Sequence, residues 1–282
     1  NKNEMNRKVR ELLDVALYLV VFLLIECAVQ ITIAVCYAQM KGLTFQDVTN
    51  LMTTGEAGKL LVASSIVSSM IVIVLFVAMK WIPTSNPWIR QRPWRAIIWV
   101  ALMAVGTILP LEWVYERIQL SMPENVEVLF EGIMKEPWGY MVIGILAPVT
   151  EEIVFRGAIL RGLLKILGRH HWIAIVITSL LFAVTHMNLA QGIHAFIMGM
   201  LLGWVYWRTS SIVPGMVIHW VNNSIAFVMF HLMPDMSDGK MIDLFHGSER
   251  HMIMGILFSC CIFVPSLLQF ILSTRKGSDE SR

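Results

Sequence analysis

Eight stretches of this 282-residue chain are apolar over the length, or nearly the length, of a membrane crossing, and that pattern fixes the fold class first. Crossing ~30 Å of hydrocarbon takes ~20 predominantly apolar residues in a helix. The stretches are approximately 12–39, 59–82, 95–113, 138–165, 172–188, 191–207, 212–233 and 252–273. The fifth and sixth are the shortest, and only a brief polar turn around Asn188 and Gln191 joins them. Hydrophobic residues make up 56% of the chain and charged ones 15%, with a mean hydropathy of +0.66, well beyond a soluble globular domain. The expectation is an all-α, polytopic membrane protein with about eight transmembrane helices, forming a single membrane domain over residues 1–282.

Charge gives the orientation. Lys2, Arg7, Lys8 and Arg10 precede the first stretch; Lys80, Arg90, Arg92 and Arg95 follow the second; Arg161, Lys165 and Arg169 close the fourth; Arg208 follows the sixth; Arg275, Lys276 and Arg282 end the chain. With eight crossings all of these fall on one face, which the excess of basic residues marks as cytoplasmic. The opposite loops carry Asp47 and Glu56, then Glu112, Glu116, Glu124, Glu127, Glu131 and Glu136, then Asp235, Asp238, Asp243 and Glu249. Both termini are expected in the cytoplasm, with a bacterial inner membrane as the setting. The net charge of +2 reports this orientation and implies no nucleic-acid partner.

The first stretch, flanked by Glu11 and Asp14 and without a small-residue cleavage site, reads as a retained helix and not a signal peptide. Cys27, Cys36, Cys260 and Cys261 all fall within apolar stretches without ligand spacing, so packing is their expected role and no disulfide is implied. Between the third and fourth stretches, Val114, Ile118, Val126, Leu129, Phe130 and Ile133 alternate with acids at partly helical spacing, interrupted by Pro123. This predicts short amphipathic helices on the outer membrane surface, or else a solvated linker.

Strongly polar groups concentrate in the second half: Glu151, Glu152, Arg156, His186, His194, His219, Asn222 and Asn223. An ionisable group at membrane depth costs ~2.5 kcal/mol or more, so such groups face a protein interior or a water-filled cavity. Glu152 and Arg156 are one helical turn apart and can pair, either to fix packing or to orient a site. Glu151 lies about 100° round the helix and points elsewhere. Phe182 shares a face with His186, and His219 shares one with Asn223, again one turn apart.

One carboxylate, two imidazoles and a carboxamide are equipment for hydrolysing an amide. A partly desolvated glutamate can take a proton from water, while histidine and asparagine N–H groups hold a developing oxyanion. Glu151, His186 and His219 could instead ligate a divalent metal such as zinc, whose bound water would be the nucleophile. HExxH is absent, so zinc rests on ligand type alone. No serine or cysteine has a base at fixed spacing, which leaves no case for a covalent nucleophile.

EEIVFR at 151–156, FAVTH at 182–186 and HWVNN at 219–223 resemble the EExxxR, FxxxH and HxxxN motifs of the CPBP family. That family comprises CAAX prenyl endopeptidases together with bacteriocin-processing and bacteriocin-immunity proteins. The resemblance covers about 138–232, which it marks as the catalytic core, and GMLLGWVYWRTSSIVPGMVIH at 199–219 fits it as well. It implies an eight-helix intramembrane endopeptidase acting on a peptide or membrane-protein tail, with Glu151 as general base and His186 helping to hold the water. His219 and Asn223 would form the oxyanion site, and Glu152, Arg156 and Phe182 would support the geometry. For a bacterial host, leader peptides, small secreted peptides or membrane-protein tails are better substrates than prenylated proteins.

Two rival readings and several residues stand outside that picture. A non-catalytic immunity or scaffold protein of the same fold would bind a peptide without cutting it. A proton- or ion-coupled transporter would also bury carboxylates and histidines, though no inverted repeat or interrupted pair of helices is evident. His194, His170, His171 and the pair Glu26 and Gln30 lie outside the motifs; Glu26 is expected to bond a neighbouring helix.

Overall fold

The computed structural model describes residues 2–54, 56–83, 94–118, 122–233 and 240–274. Of the charges used for orientation, Arg90, Arg92, Asp235, Asp238, Arg275, Lys276 and Arg282 lie outside the described residues, as do the side chains of Lys2 and Arg95. Among the described residues every regular element is helical. In chain order they are α1 (Lys2–Lys41), α2 (Phe45–Thr53), α3 (Gly58–Ala78), α4 (Trp94–Ile118), α5 (Glu124–Met134), α6 (residues 141–167), α7 (His171–Val184), α8 (Leu189–Thr209), α9 (Val213–Leu232) and α10 (Glu249–Ser273), with a 3₁₀ turn at Met241–Phe245.

All eight apolar stretches are helical, as their patterning predicts. Six helices, α1, α3, α4, α8, α9 and α10, are long and apolar enough to cross a membrane by length and composition. The two others explain why eight is an approximate count. With 14 residues, α7 rises only ~21 Å. The α6 run is not one regular helix: π-helical turns at Met141–Leu146 and Glu152–Leu160 alternate with α-helical turns at Ala147–Glu151 and Arg161–Leu167. Pro148 sits at the start of the second piece. It has no N–H to donate, and in a regular α-helix its ring would meet the carbonyl of Gly144. The preceding wide turn, closed by Ala147 N–H to the Val142 carbonyl, accommodates it.

Internal packing divides the chain into two compact units, Asn1–Thr84 with Met122–Met200, and Ser85–Ser121 with Leu201–Arg282. In the first, α1 packs along α3 and α6, and α7 packs on α6. The segment between the third and fourth stretches does form an amphipathic helix. Pro123 is the N-cap of α5, where its missing N–H costs nothing. Leu129 and Ile133 from α5 close over a cluster of Ala34, Ala38, Val48, Met52, Ala57 and Leu61. The Thr44–Asp47 capping box starts α2, satisfying amide groups that would otherwise lack partners.

In the second unit α4 packs against α9 and α10. A Cβ on Gly106 would lie 2.7 Å from the backbone nitrogen of Phe263, so α4 and α10 touch main chain to main chain there. Arg208 in the last turn of α8 donates to the Ile271 carbonyl at 2.9 Å and to the Thr274 hydroxyl at 3.0 Å, holding the end of α8 to the end of α10. Gly106→Ala is expected to force α4 from α10 and to cost ~1–3 kcal/mol, measurable as a lowered unfolding temperature in detergent micelles.

Candidate active site

Glu152 and Arg156 form the ion pair that their spacing predicts, with Nη1 2.7 Å from Oε1 and both side chains 0% exposed. The π-helical turn holds both on a face with no access to water. The guanidinium reaches further than its own helix. Its Nη2 donates to the carbonyl of Gly199 on α8 at 3.3 Å, and its plane lies 4.7 Å over the Phe182 ring of α7. One cation thus ties three helices, which a point charge such as lysine could not do. Gly199 also lies close against α7, since a Cβ there would sit 3.0 Å from Cβ of Ser179.

Glu151 precedes this pair by one residue and differs from Glu152 in being only part-buried. It feels the charge of Arg156, and it remains the carboxylate of the two with access to its surroundings.

His186 sits just past the C-terminus of α7, stacked edge-on to Phe182 with ring centroids 4.9 Å apart. Its Nδ1 is 2.9 Å from the carbonyl oxygen of Phe182. A carbonyl can only accept, so Nδ1 carries a proton, and Nε2 is the ring nitrogen left to face another group. Phe182 is itself fixed against Phe155, centroids 5.0 Å apart. The FxxxH spacing therefore supplies both an aromatic wall and the carbonyl that selects the tautomer.

The turn after His186 was legible in the sequence only as a polar link, and it does more. Asn188 donates to the His186 carbonyl at 2.8 Å and to Gln191 Oε1 at 2.7 Å, while its Oδ1 accepts from the Gln191 amide at 2.8 Å. It is both the N-cap of α8 and a tether for His186. An asparagine three residues before a glutamine at the start of an apolar run is the signal that could have found it. Asn188→Ala is expected to destabilise by ~1 kcal/mol through the lost cap, checked by thermal unfolding in lipid.

His219 and Asn223 belong to the second unit, on α9. His219 is 6% exposed, and Asn222 donates to the Asn223 carboxamide oxygen at 3.3 Å. His194 is part-buried on α8; His170 is exposed before α7, and His171 opens that helix. Among the described residues no three His, Cys, Asp or Glu side chains gather into a set that could hold a metal ion.

Comparison with known families then bears on the same residues. Residues 133–225 match the family model of type II CAAX prenyl endopeptidases described as Rce1-like. This segment is Rce1-like. It contains all three motifs and overlaps nearly the whole of the stretch, 138–232, over which the sequence resembles CPBP proteins. The Rce1-like segment runs from the end of α5 into α9 and so includes the ion pair, His186 and its tether, His219 and Asn223. The chain is also 27% identical over 106 residues to "Putative membrane peptidase YdiL" of Bacillus subtilis (strain 168). That match takes in 38% of this chain and 43% of the relative, so the chain spans less than half of that protein's length. No solved structure matches. With its apolar helices and this likeness, the chain is an integral membrane protein in which residues 133–225 are similar to type II CAAX prenyl endopeptidases.

Proposed function

We propose that this protein is an intramembrane endopeptidase that cuts a membrane-proximal peptide or protein tail with a water molecule activated by Glu151 and His186. The observation that carries the reading is the Nδ1 to Phe182 carbonyl bond of His186. It leaves Nε2 able to accept from water, on a side chain positioned by the same three-helix contact that Arg156 organises. Glu151 takes one proton from that water as its oxygen attacks the peptide carbonyl carbon. His219 and Asn223, assigned by their motif, donate N–H groups to the oxyanion. Collapse of the tetrahedral intermediate breaks the C–N bond, and the proton held by Glu151 passes to the departing amine. Glu152 stays paired and serves geometry alone.

The asymmetry of basic and acidic loops supports cytoplasmic termini, and the Bacillus relative supports a bacterial membrane as the setting. A peptide substrate and the bilayer are the partners. Purified protein in liposomes, given a broad library of quenched-fluorescence peptides, is expected to release fluorescence at discrete sites identified by mass spectrometry. A folded sample that binds peptides and cuts none would instead favour an immunity or scaffold protein. Ion flux without cleavage would favour a transporter.

A further inference from the structure

The segment that leads into α5 reaches the turn that carries His186. Gln191, in the first turn of α8, donates from Nε2 to the Sδ of Met122 at 3.7 Å, one residue before the Pro123 cap of α5. Its Oε1 accepts from Nδ2 of Asn188 at 2.7 Å, and the same Nδ2 donates its other hydrogen to the His186 carbonyl at 2.8 Å. Three side chains thus run in series from the start of α5 to the main chain of His186, all within the first compact unit.

Each bond in the series has one possible direction. A thioether accepts weakly and cannot donate, so the amide nitrogen of Gln191 must face Met122 and its oxygen must face Asn188. The backbone amide of Gln191 donates to Oδ1 of Asn188 at 2.8 Å, which leaves Nδ2 to reach both Gln191 and the His186 carbonyl. The sulfur of Met122 therefore selects the orientation of one carboxamide, and that carboxamide holds the next.

The two ends of the series differ in how they are held. His186 lies past the regular hydrogen bonding of α7: its amide closes a tight turn on the Ala183 carbonyl at 3.2 Å. Met187 after it has a φ of 59°, a left-handed conformation that a side chain of this size rarely adopts. By contrast α5 is fixed. A Cβ on Gly58 would run into the Gly132 carbonyl, so α5 touches α3 main chain to main chain, and Leu129 and Ile133 close over the apolar cluster beneath.

We propose that Gln191 and Met122 are positioning residues for His186, so that the seating of α5 against α3 sets the geometry of the histidine that holds the water. This inference rests on that role for His186, and its test has a readout separate from cleavage.

Met122→Lys puts a donor where the acceptor stood. Gln191 then turns its oxygen to the new ammonium and its nitrogen to Asn188, where two donors meet. Adding Gln191→Glu supplies a carboxylate that accepts from both sides, so the double variant restores the series. With a quenched-fluorescence peptide that wild type cleaves, Met122→Lys is expected to lower kcat ~10-fold or more at little changed KM, and the double variant to recover most of it. In lipid-reconstituted, histidine-labelled protein, the ¹⁵N resonance of His186 Nδ1, assigned by its loss in His186→Gln, moves in Met122→Lys and returns in the double variant. Met122→Leu keeps the bulk and removes only the acceptor; it shows a smaller change in the same sense, and it decides the matter alone if Met122→Lys does not fold. A resonance and a kcat that stay at wild-type values in the Met122 variants overturn the proposal while leaving the hydrolase reading intact. A resonance that moves and returns, in a protein whose wild type cleaves no peptide, keeps the tether and ends the hydrolase reading.

Discussion

Arg156→Met is expected to lower the stability of the protein by ~3–5 kcal/mol, the cost of leaving a buried carboxylate without its counter-charge. The loss is large because Glu152 is fully buried and cannot turn to water. The variant also forfeits the bond to the Gly199 carbonyl and the stacking on Phe182. Replacing both partners with apolar residues of similar volume, as in Glu152→Met with Arg156→Met, is expected to restore most of the stability, because no charge is then stranded. Thermal unfolding in bicelles measures both variants. The double variant also separates packing from orientation: Phe182 and Gly199 lose the group that tied them. We expect a folded protein with kcat reduced and KM little changed, the signature of lost transition-state geometry. Wild-type kcat in a stable double variant would mean that the pair only packs helices.

The second large effect is chemical. Glu151→Gln keeps the shape and hydrogen-bonding capacity of the side chain and removes its ability to accept a proton. General-base catalysis contributes ~10²–10⁴-fold, and kcat is expected to fall by that factor while peptide binding persists. Stability should change little, in contrast to Arg156→Met, since Glu151 is part-buried and the Glu152–Arg156 pair remains whole. Adjacent glutamates that answer so differently to substitution would demonstrate the division of labour between them. Cleavage rates and unfolding temperatures measured on the same preparations check both halves of the statement.

Much of this was readable from spacing alone. Four-residue separations put Glu152 with Arg156 and Phe182 with His186, and both contacts form. Local geometry decides such pairs, and the local geometry is helical. Apolar length likewise predicted where helices run. The wide turns of α6 were not legible, because hydropathy does not distinguish π from α turns and only Pro148 hinted at an irregularity. Nor was the reach of Arg156 to Gly199, a contact across 43 residues set by tertiary packing. Glu26 shows the limit most clearly. Its bond to another helix was expected on cost grounds, but the partner, Ser68 of α3, is 42 residues away and set by tertiary packing, which no short motif encodes. Asn188 was visible as a turn residue, and its hold on the His186 carbonyl emerged only when the turn was folded.

The most direct measurement of the central claim is single-turnover cleavage of one identified peptide by wild type and Glu151→Gln, side by side in liposomes, with a chelator added in parallel and peptide binding followed in the same samples. The account predicts that both proteins bind the peptide, that wild type cleaves it, and that Glu151→Gln leaves it whole. Cleavage by Glu151→Gln at the wild-type rate would contradict the account and remove Glu151 from the chemistry.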